Sequence, residues 1–227
     1  MTRRLLITGT DTGVGKTTVA CALAEAMRVR GMRVGVMKPA ETDCAEVGGV
    51  LEPKDARALA LAAASPIPLE LICPYRYRSP LAPAAAAEID GIAPPDMAVI
   101  ARCFDKIAAE SDRMLVEGAG GITVPIAWDF DYADLALRLG LELVVIVGNR
   151  LGCLNATVLT LKYADSRGLS IAGVILSDSE PAESLAARTN EDSLRRLIGA
   201  RFLGRMRHRE PLAKVIVEKL ILPQPSN

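Results

Sequence analysis

Aromatic residues are scarce in this chain: Phe, Trp and Tyr make up 4% of its 227 residues, although half of the sequence is hydrophobic. A core of ordinary size must therefore be filled by Ala, Val, Leu and Ile, side chains suited to buried strands and amphipathic helices. Net charge is also missing. Lys plus Arg equals Asp plus Glu at 27 each, so no positive field gathers nucleic acid or an anionic membrane, and neither is expected as a partner. Cys21, Cys44, Cys73, Cys103 and Cys153 are scattered, with no C-x-x-C pair to suggest zinc or a redox couple, and a reduced, cytoplasmic setting is expected. His208 is the sole histidine and sits in a basic run, Arg205 to Arg209, that reads as a solvated face. No apolar run is long enough to span a bilayer, and the one after Arg3 and Arg4 is broken by Thr8, Gly9 and Asp11 too early for a secretory signal.

What is present is a phosphate cradle. From Leu5 to Thr18 the sequence LLITGTDTGVGKTT runs from a strand-like segment into a glycine-bearing loop ending in Gly15, Lys16 and Thr17. Glycines let backbone amides converge on phosphate oxygens, the lysine reaches the terminal phosphates, and the threonine hydroxyl is a ligand for Mg²⁺. A following helix adds its positive N-terminal end. The general pattern asks for glycine at position 10, where Thr10 stands, and Gly9 comes one place early.

Short apolar runs alternate with helix-length stretches along the chain, the rhythm of a doubly wound, mostly parallel α/β sheet of the P-loop NTPase type. Strands are predicted at Leu5 to Thr8, Val34 to Met37, Arg113 to Glu117, Leu143 to Val147, Ile171 to Leu176 and Phe202 to Gly204. Helices are predicted at Lys16 to Arg30, Asp55 to Ala64, Pro95 to Glu110, Tyr132 to Leu139, Asn155 to Ser166 and Glu183 to Ile198. The proline-rich pieces from Pro66 to Pro83 and from Ala93 to Pro95 read as loops, and no linker divides residues 1–227, so one domain is expected.

Ligands of such sheets gather at the carboxyl ends of the strands. Lys38 follows the second strand, in MKPAET; Glu117 closes the third, in LVEGAGG; Asp55 opens a helix nearby. Asp55, Glu117 and Thr17 are hard oxygen donors suited to a metal held with nucleotide phosphates. Asp55 alone would read as a helix-start acid, whereas a carboxylate ending a buried strand before Gly118, Ala119, Gly120 and Gly121 invites backbone approach to a ligand. Lys38 offers a second positive charge near phosphate. Trp128 suits either a channel roof or a loop anchor.

Together, GTDTGVGKT, the Lys38–Pro39 pair, VEGAGG from Val116 and LGCLN from Leu151 to Asn155 resemble the dethiobiotin synthetase family over nearly the whole chain, and the early glycine is normal there. The resemblance implies an ATP- and Mg²⁺-dependent ligase that closes a cyclic urea on 7,8-diaminopelargonate with CO₂ or bicarbonate, as a homodimer. It implies that Gly13, Val14, Gly15, Lys16, Thr17 and Thr18 bind the nucleotide phosphates. Lys38 would be the catalytic lysine, assisted by Lys16, with Thr12 beside the carbamate. Thr17, Asp55 and Glu117 would hold the metal, and Gly118, Ala119 and Gly120 would line the nucleotide site. Thr42 stands where the family usually has a substrate-contacting serine, and Gly152, Cys153 and Asn155 would receive the substrate carboxylate across the dimer interface. Ser177 and Asp178 fall at the nucleotide base, where the family often has Asn-Asp. Gly13 replaces an acidic residue of some members, and Arg205 to Arg209 replaces an Ile-Pro run. Two other classes share parts of this pattern. An amidotransferase-type synthetase would need a further glutamine-hydrolysing domain. A partitioning-type switch ATPase would carry a second lysine within Gly9 to Gly13, and none stands there.

Overall fold

The computed structural model of the chain describes residues 3–181 and 184–221. Its strands are β1 (Arg3–Gly9), β2 (Val34–Met37), β3 (Ala40–Glu41), β4 (Ala45–Val47), β5 (Val50–Glu52), β6 (Tyr75–Arg76), β7 (Arg113–Gly121), β8 (Pro125–Ala127), β9 (Phe130–Asp131), β10 (Glu142–Gly148), β11 (Ile171–Ser177) and β12 (Phe202–Met206). Its helices are α1 (Lys16–Val29), α2 (Lys54–Ala63), α3 (Leu69–Ile72), α4 (Pro83–Asp90), α5 (Met97–Ala109), α6 (Tyr132–Leu139), α7 (Cys153–Ser166), α8 (Leu185–Ile198) and α9 (Lys214–Ile221).

Six strands form one parallel sheet in the order β12-β11-β10-β1-β7-β2, and β3 pairs with β6 beside it. Their continuous apolar runs follow from burial on both faces. Successive residues point to opposite sides: Leu6, Val116, Val145 and Leu176 pack against α5 to α8, while Leu5, Ile7, Leu115, Ile146 and Ile175 pack against α1, α2 and α9. Two cores of small aliphatic side chains result. The chain leaves β1 for β2 in one direction and later reaches β10 in the other, so the order reverses around β1, where the phosphate loop emerges.

All six predicted main strands are present, with ends moved by at most two residues except that β7, expected to close at Glu117, runs on four residues to Gly121. Helix starts shift for local reasons. Asp96 caps α5 by accepting from Ala98 N at 2.6 Å, so the helix begins at Met97, and α7 begins at Cys153 because Gly152 takes the left-handed conformation before it. Ser184 caps α8, which starts at Leu185; the predicted start, Glu183, lies outside the described residues. The expected loop from Pro66 to Pro83 contains α3 and β6, and Pro83 opens α4, since a proline at the first helical position has no amide to leave unpaired.

Leu23, fully buried on α1 beneath the sheet, and Leu61, 75% exposed on α2, separate core from surface. Leu23→Ala should cost about 2–5 kcal/mol and lower the Tm by roughly 4–15 °C, whereas Leu61→Ala should leave it within about 2 °C, as measured by thermal denaturation.

Candidate active site

Gly9 owes its place to space. A Cβ there would lie 2.7 Å from the Asp11 carbonyl and 3.1 Å from the Gly120 carbonyl, both backbone atoms, so the loop turns tightly only without a side chain. Gly13 and Gly15 take positive φ, and Gly15 packs over Ser177, whose Oγ would be 2.6 Å from any added Cβ. The loop therefore opens straight into α1, as a phosphate cradle requires, although the Thr12 amide donates to Asp11 Oδ1 at 2.7 Å.

Around the loop lies a cavity of about 830 Å³. Thr12, Gly13, Gly15, Lys16, Thr17, Thr18, Lys38, Thr42, Asp55, Glu117, Ala119 and Gly120 all line it. Sequence reasoning did not single out Glu41, Asp43, Lys54, Pro80, Leu81, Ala82, Val124 and Ser179, which complete the wall. Glu41, Asp43, Lys54, Pro80, Leu81 and Ala82 reach the wall on or beside β3, α2 and α4, while Val124 follows β7 and Ser179 follows β11.

At the floor of the cavity the end of β2, the middle of β7 and the first turns of α1 and α2 converge. The Lys38 ammonium, 3% exposed at the end of β2, donates to Glu117 Oε1 at 2.6 Å and to Asp55 Oδ2 at 2.8 Å. Thr17 Oγ1 donates to the same Glu117 oxygen at 2.8 Å. Burial pulls the Lys38 amine downward, but the Glu117 and Asp55 carboxylates outweigh it and hold the group protonated well above the ordinary lysine range. Glu117 Oε2 is buried without a hydrogen-bond partner. An orphaned carboxylate oxygen beside a threonine hydroxyl and a second carboxylate is a donor set that fits a hard divalent cation. Among the described residues no group of three or more His, Cys, Asp and Glu is placed to hold a metal alone. Phosphate oxygens would have to complete the sphere, as in other Mg-nucleotide sites.

Lys16 is folded back onto its own loop, donating to the Asp11 carbonyl at 3.0 Å. Desolvation, reinforced by the Lys38 charge, lowers its pKa to about 8. The two lysines thus differ in kind: Lys38 is neutralised by acids, whereas Lys16 is short of an anion.

The remaining predicted residues lie apart from the cavity wall. Val14 is buried beneath the loop and Gly118 packs against the Tyr132 ring. Ser177 is buried under Gly15. Asp178 has both oxygens taken, Oδ1 by Asn149 Nδ2 at 2.6 Å and Oδ2 by Arg205 Nε at 2.8 Å. Arg205, read as part of a solvated basic run, is instead 12% exposed in this internal pair. Gly152 and Asn155 are exposed and Cys153 is buried at the start of α7, outside the cavity. Trp128 is an exposed loop residue anchored to α4 through Nε1 donating to Glu88 Oε1 at 2.5 Å.

The depressed Lys16 pKa gives nucleotide binding a pH dependence. The protonated amine is the form that attracts phosphate, so affinity for ATP should be flat at low pH, fall as pH rises through about 8, and be about tenfold weaker by pH 9. Lys16→Met, weak throughout, should lose this dependence in the same calorimetric titrations.

The fold has solved counterparts. A ParA family ATPase from Chlorobium tepidum TLS superposes with a TM-score of 0.55 at 16% identity, covering 97% of this chain and 90% of that one. MinD from Aquifex aeolicus, a cell division protein, superposes with a TM-score of 0.55 at 15% identity, covering 96% and 87%. These show the P-loop NTPase fold alone. In sequence, residues 3–215 match a family model described as an AAA domain. The ATP-dependent dethiobiotin synthetase BioD of Anaeromyxobacter dehalogenans (strain 2CP-C) is 43% identical over 211 residues, 93% of this chain and 88% of that protein. That of Aromatoleum aromaticum is 39% identical over 206 residues, 91% of each. With relatives this similar along nearly its whole length, the chain belongs to the ATP-dependent dethiobiotin synthetases, ligases that form carbon–nitrogen bonds.

Proposed function

We propose that this protein makes dethiobiotin for biotin biosynthesis, using ATP to close a cyclic urea on 7,8-diaminopelargonate and CO₂. The observation that supports the reading is the meeting of Lys16, Thr17, Lys38, Thr42, Asp55 and Glu117 around one cavity in a chain of this family. Its size suits a triphosphate together with a small acyclic diamine.

One substrate amine adds to CO₂ and loses a proton to become a carbamate. A carbamate oxygen then attacks the γ-phosphorus, the bond to ADP breaks, and a carbamic-phosphoric anhydride forms. The neighbouring amine attacks the carbonyl carbon, the C–O bond to phosphate breaks, and the cyclic urea is released with inorganic phosphate and a proton. Chemistry of this kind depends on positioning and on charge placed where charge spreads over the transferring group. Lys38 serves that purpose as a fixed ammonium and Lys16 as a mobile one. Thr12 and Thr42 offer hydroxyls to the carbamate and the second amine. Mg²⁺, held by Thr17, Asp55 and Glu117 with the phosphates, would neutralise the triphosphate and orient it for transfer.

The LGCLN turn, exposed at Leu151, Gly152 and Asn155, lies outside the cavity, as expected if Gly152, Cys153 and Asn155 serve a second copy of the chain. We therefore include a homodimer in the proposal, with the α7 N-terminus receiving the substrate carboxylate. Leu151, 86% exposed beside this turn, suits a covered position better than a wet one. Five free cysteines among the described residues accord with a cytoplasmic setting.

Phosphate release should depend on added diamine and bicarbonate. Lys38→Ala should lower that release by roughly 10²- to 10³-fold while ATP binding weakens much less. Because the substitution strands a buried carboxylate, a stability loss of about 3–5 kcal/mol is expected, so rates are compared per folded molecule. Turnover equal to that of the parent enzyme would remove Lys38 from the mechanism.

A further inference from the structure

Helix α2 starts without a local cap. Its N-cap is Pro53, which supplies no side-chain hydrogen bond, although the second and third helical amides, those of Asp55 and Ala56, need acceptors. Both donate to Glu41 on β3: Asp55 N to Oε1 at 2.8 Å and Ala56 N to Oε2 at 2.9 Å. One carboxylate thus spans two successive amides of a helix that begins more than a dozen residues later.

Glu41 is itself firmly held. Its side chain is buried at 5% exposure, β3 pairs with β6, and Tyr77 N donates to the Glu41 carbonyl at 2.9 Å. For stability alone this is a poor place for an acid, since burying a carboxylate is costly and Asp55 adds a like charge nearby. A serine or aspartate at position 53 would cap the helix more simply. What the remote carboxylate achieves, and a local cap does not, is a rigid tie between the first turn of α2 and the short segment that carries Lys38 and Thr42. Asp55 is the residue caught in that tie: its amide is fixed by Glu41 while its carboxylate faces Lys38 at 2.8 Å.

We infer that Glu41 is a positioning residue, which by chelating the Asp55 and Ala56 amides holds the Asp55 carboxylate opposite Glu117 and so sets the affinity for the cation that accompanies ATP. The inference rests on the reading of Asp55 as a metal ligand given above. Residues that orient a ligand in this way typically change metal affinity by about 10- to 100-fold when removed.

The test is calorimetric binding of a non-hydrolysable ATP analogue with Mg²⁺ and with EDTA, the ratio of the two affinities being the quantity read. E41A should reduce that ratio about tenfold and leave the EDTA affinity within about twofold, because the phosphate loop is untouched. D55N should remove most of the ratio, and E41A should add nothing further in the D55N background. Glu41→Gln, equal in size but with one acceptor oxygen, should fall between parent and E41A, and carries the same comparison if E41A does not fold. A helix cap of purely structural value would lower the Tm without moving the ratio. If E41A keeps the parent ratio while D55N loses it, or if E41A costs as much in the D55N background, the inference is overturned. If D55N itself keeps the ratio, the metal reading of Asp55 falls and the inference falls with it.

Discussion

The site is built around one ammonium group held between two carboxylates. Lys38 lies at the end of β2, Glu117 in the middle of β7 and Asp55 in the first turn of α2, and Lys38 meets the two acids at 2.6–2.8 Å, with Lys38 and Glu117 buried and Asp55 half-exposed at the cavity side. Charges as deep as those of Lys38 and Glu117 offset their desolvation only when each is paired and correctly aimed. The edge strand, the central sheet and the covering helix are thereby obliged to keep their mutual distances. That obligation serves catalysis as well as folding: a positive charge whose protonation is assured can stand beside a transferring phosphoryl group without first reorganising.

The phosphate loop meets the same constraint from the other side. Gly9 is pinned between the carbonyls of Asp11 and Gly120, so the loop after β1 and the glycine-rich end of β7 are in contact at backbone level. Any movement of one is felt by the other. Ser177 extends this contact to β11, since its hydroxyl fills the space under Gly15. The side of the nucleotide site expected to meet the base is internally occupied: Asp178 is saturated by Asn149 and Arg205, and Arg205 also approaches Glu191 at 3.8 Å. Neither oxygen of Asp178 is left to read a base edge without breaking that network.

Much of this was legible in the sequence, and the exceptions have physical causes. The six main strands announce themselves because strands buried on both faces must be uninterrupted runs of Val, Ile and Leu. Lys16, Lys38 and Asp55 were legible because they stand at strand ends or helix starts, where chemistry in an open sheet is confined, and Glu117 because an acid interrupts an apolar run ahead of glycines, although β7 continues past it to Gly121. Helix α4 was missed because Pro83 signals both a turn and a first helical position, and only the tertiary setting decides between them. Glu41 was missed for a different reason: its partners are fourteen and fifteen residues away, and no periodicity links a strand acid to a distant helix start. Arg205 was misread because a basic run looks solvated until a buried acid such as Asp178 claims one of its members.

With its first turn secured by a strand residue and not by its own neighbour at position 53, α2 gains little from forming early. The loop from Glu41 to Asp55 must close first, and closing it costs chain entropy before any amide is satisfied. The helix that delivers Asp55 is therefore expected to be completed only after the central sheet has set. Substitutions along its first turn would then speed unfolding more than they slow folding, and the metal-facing part of the site would be the first to come apart under strain.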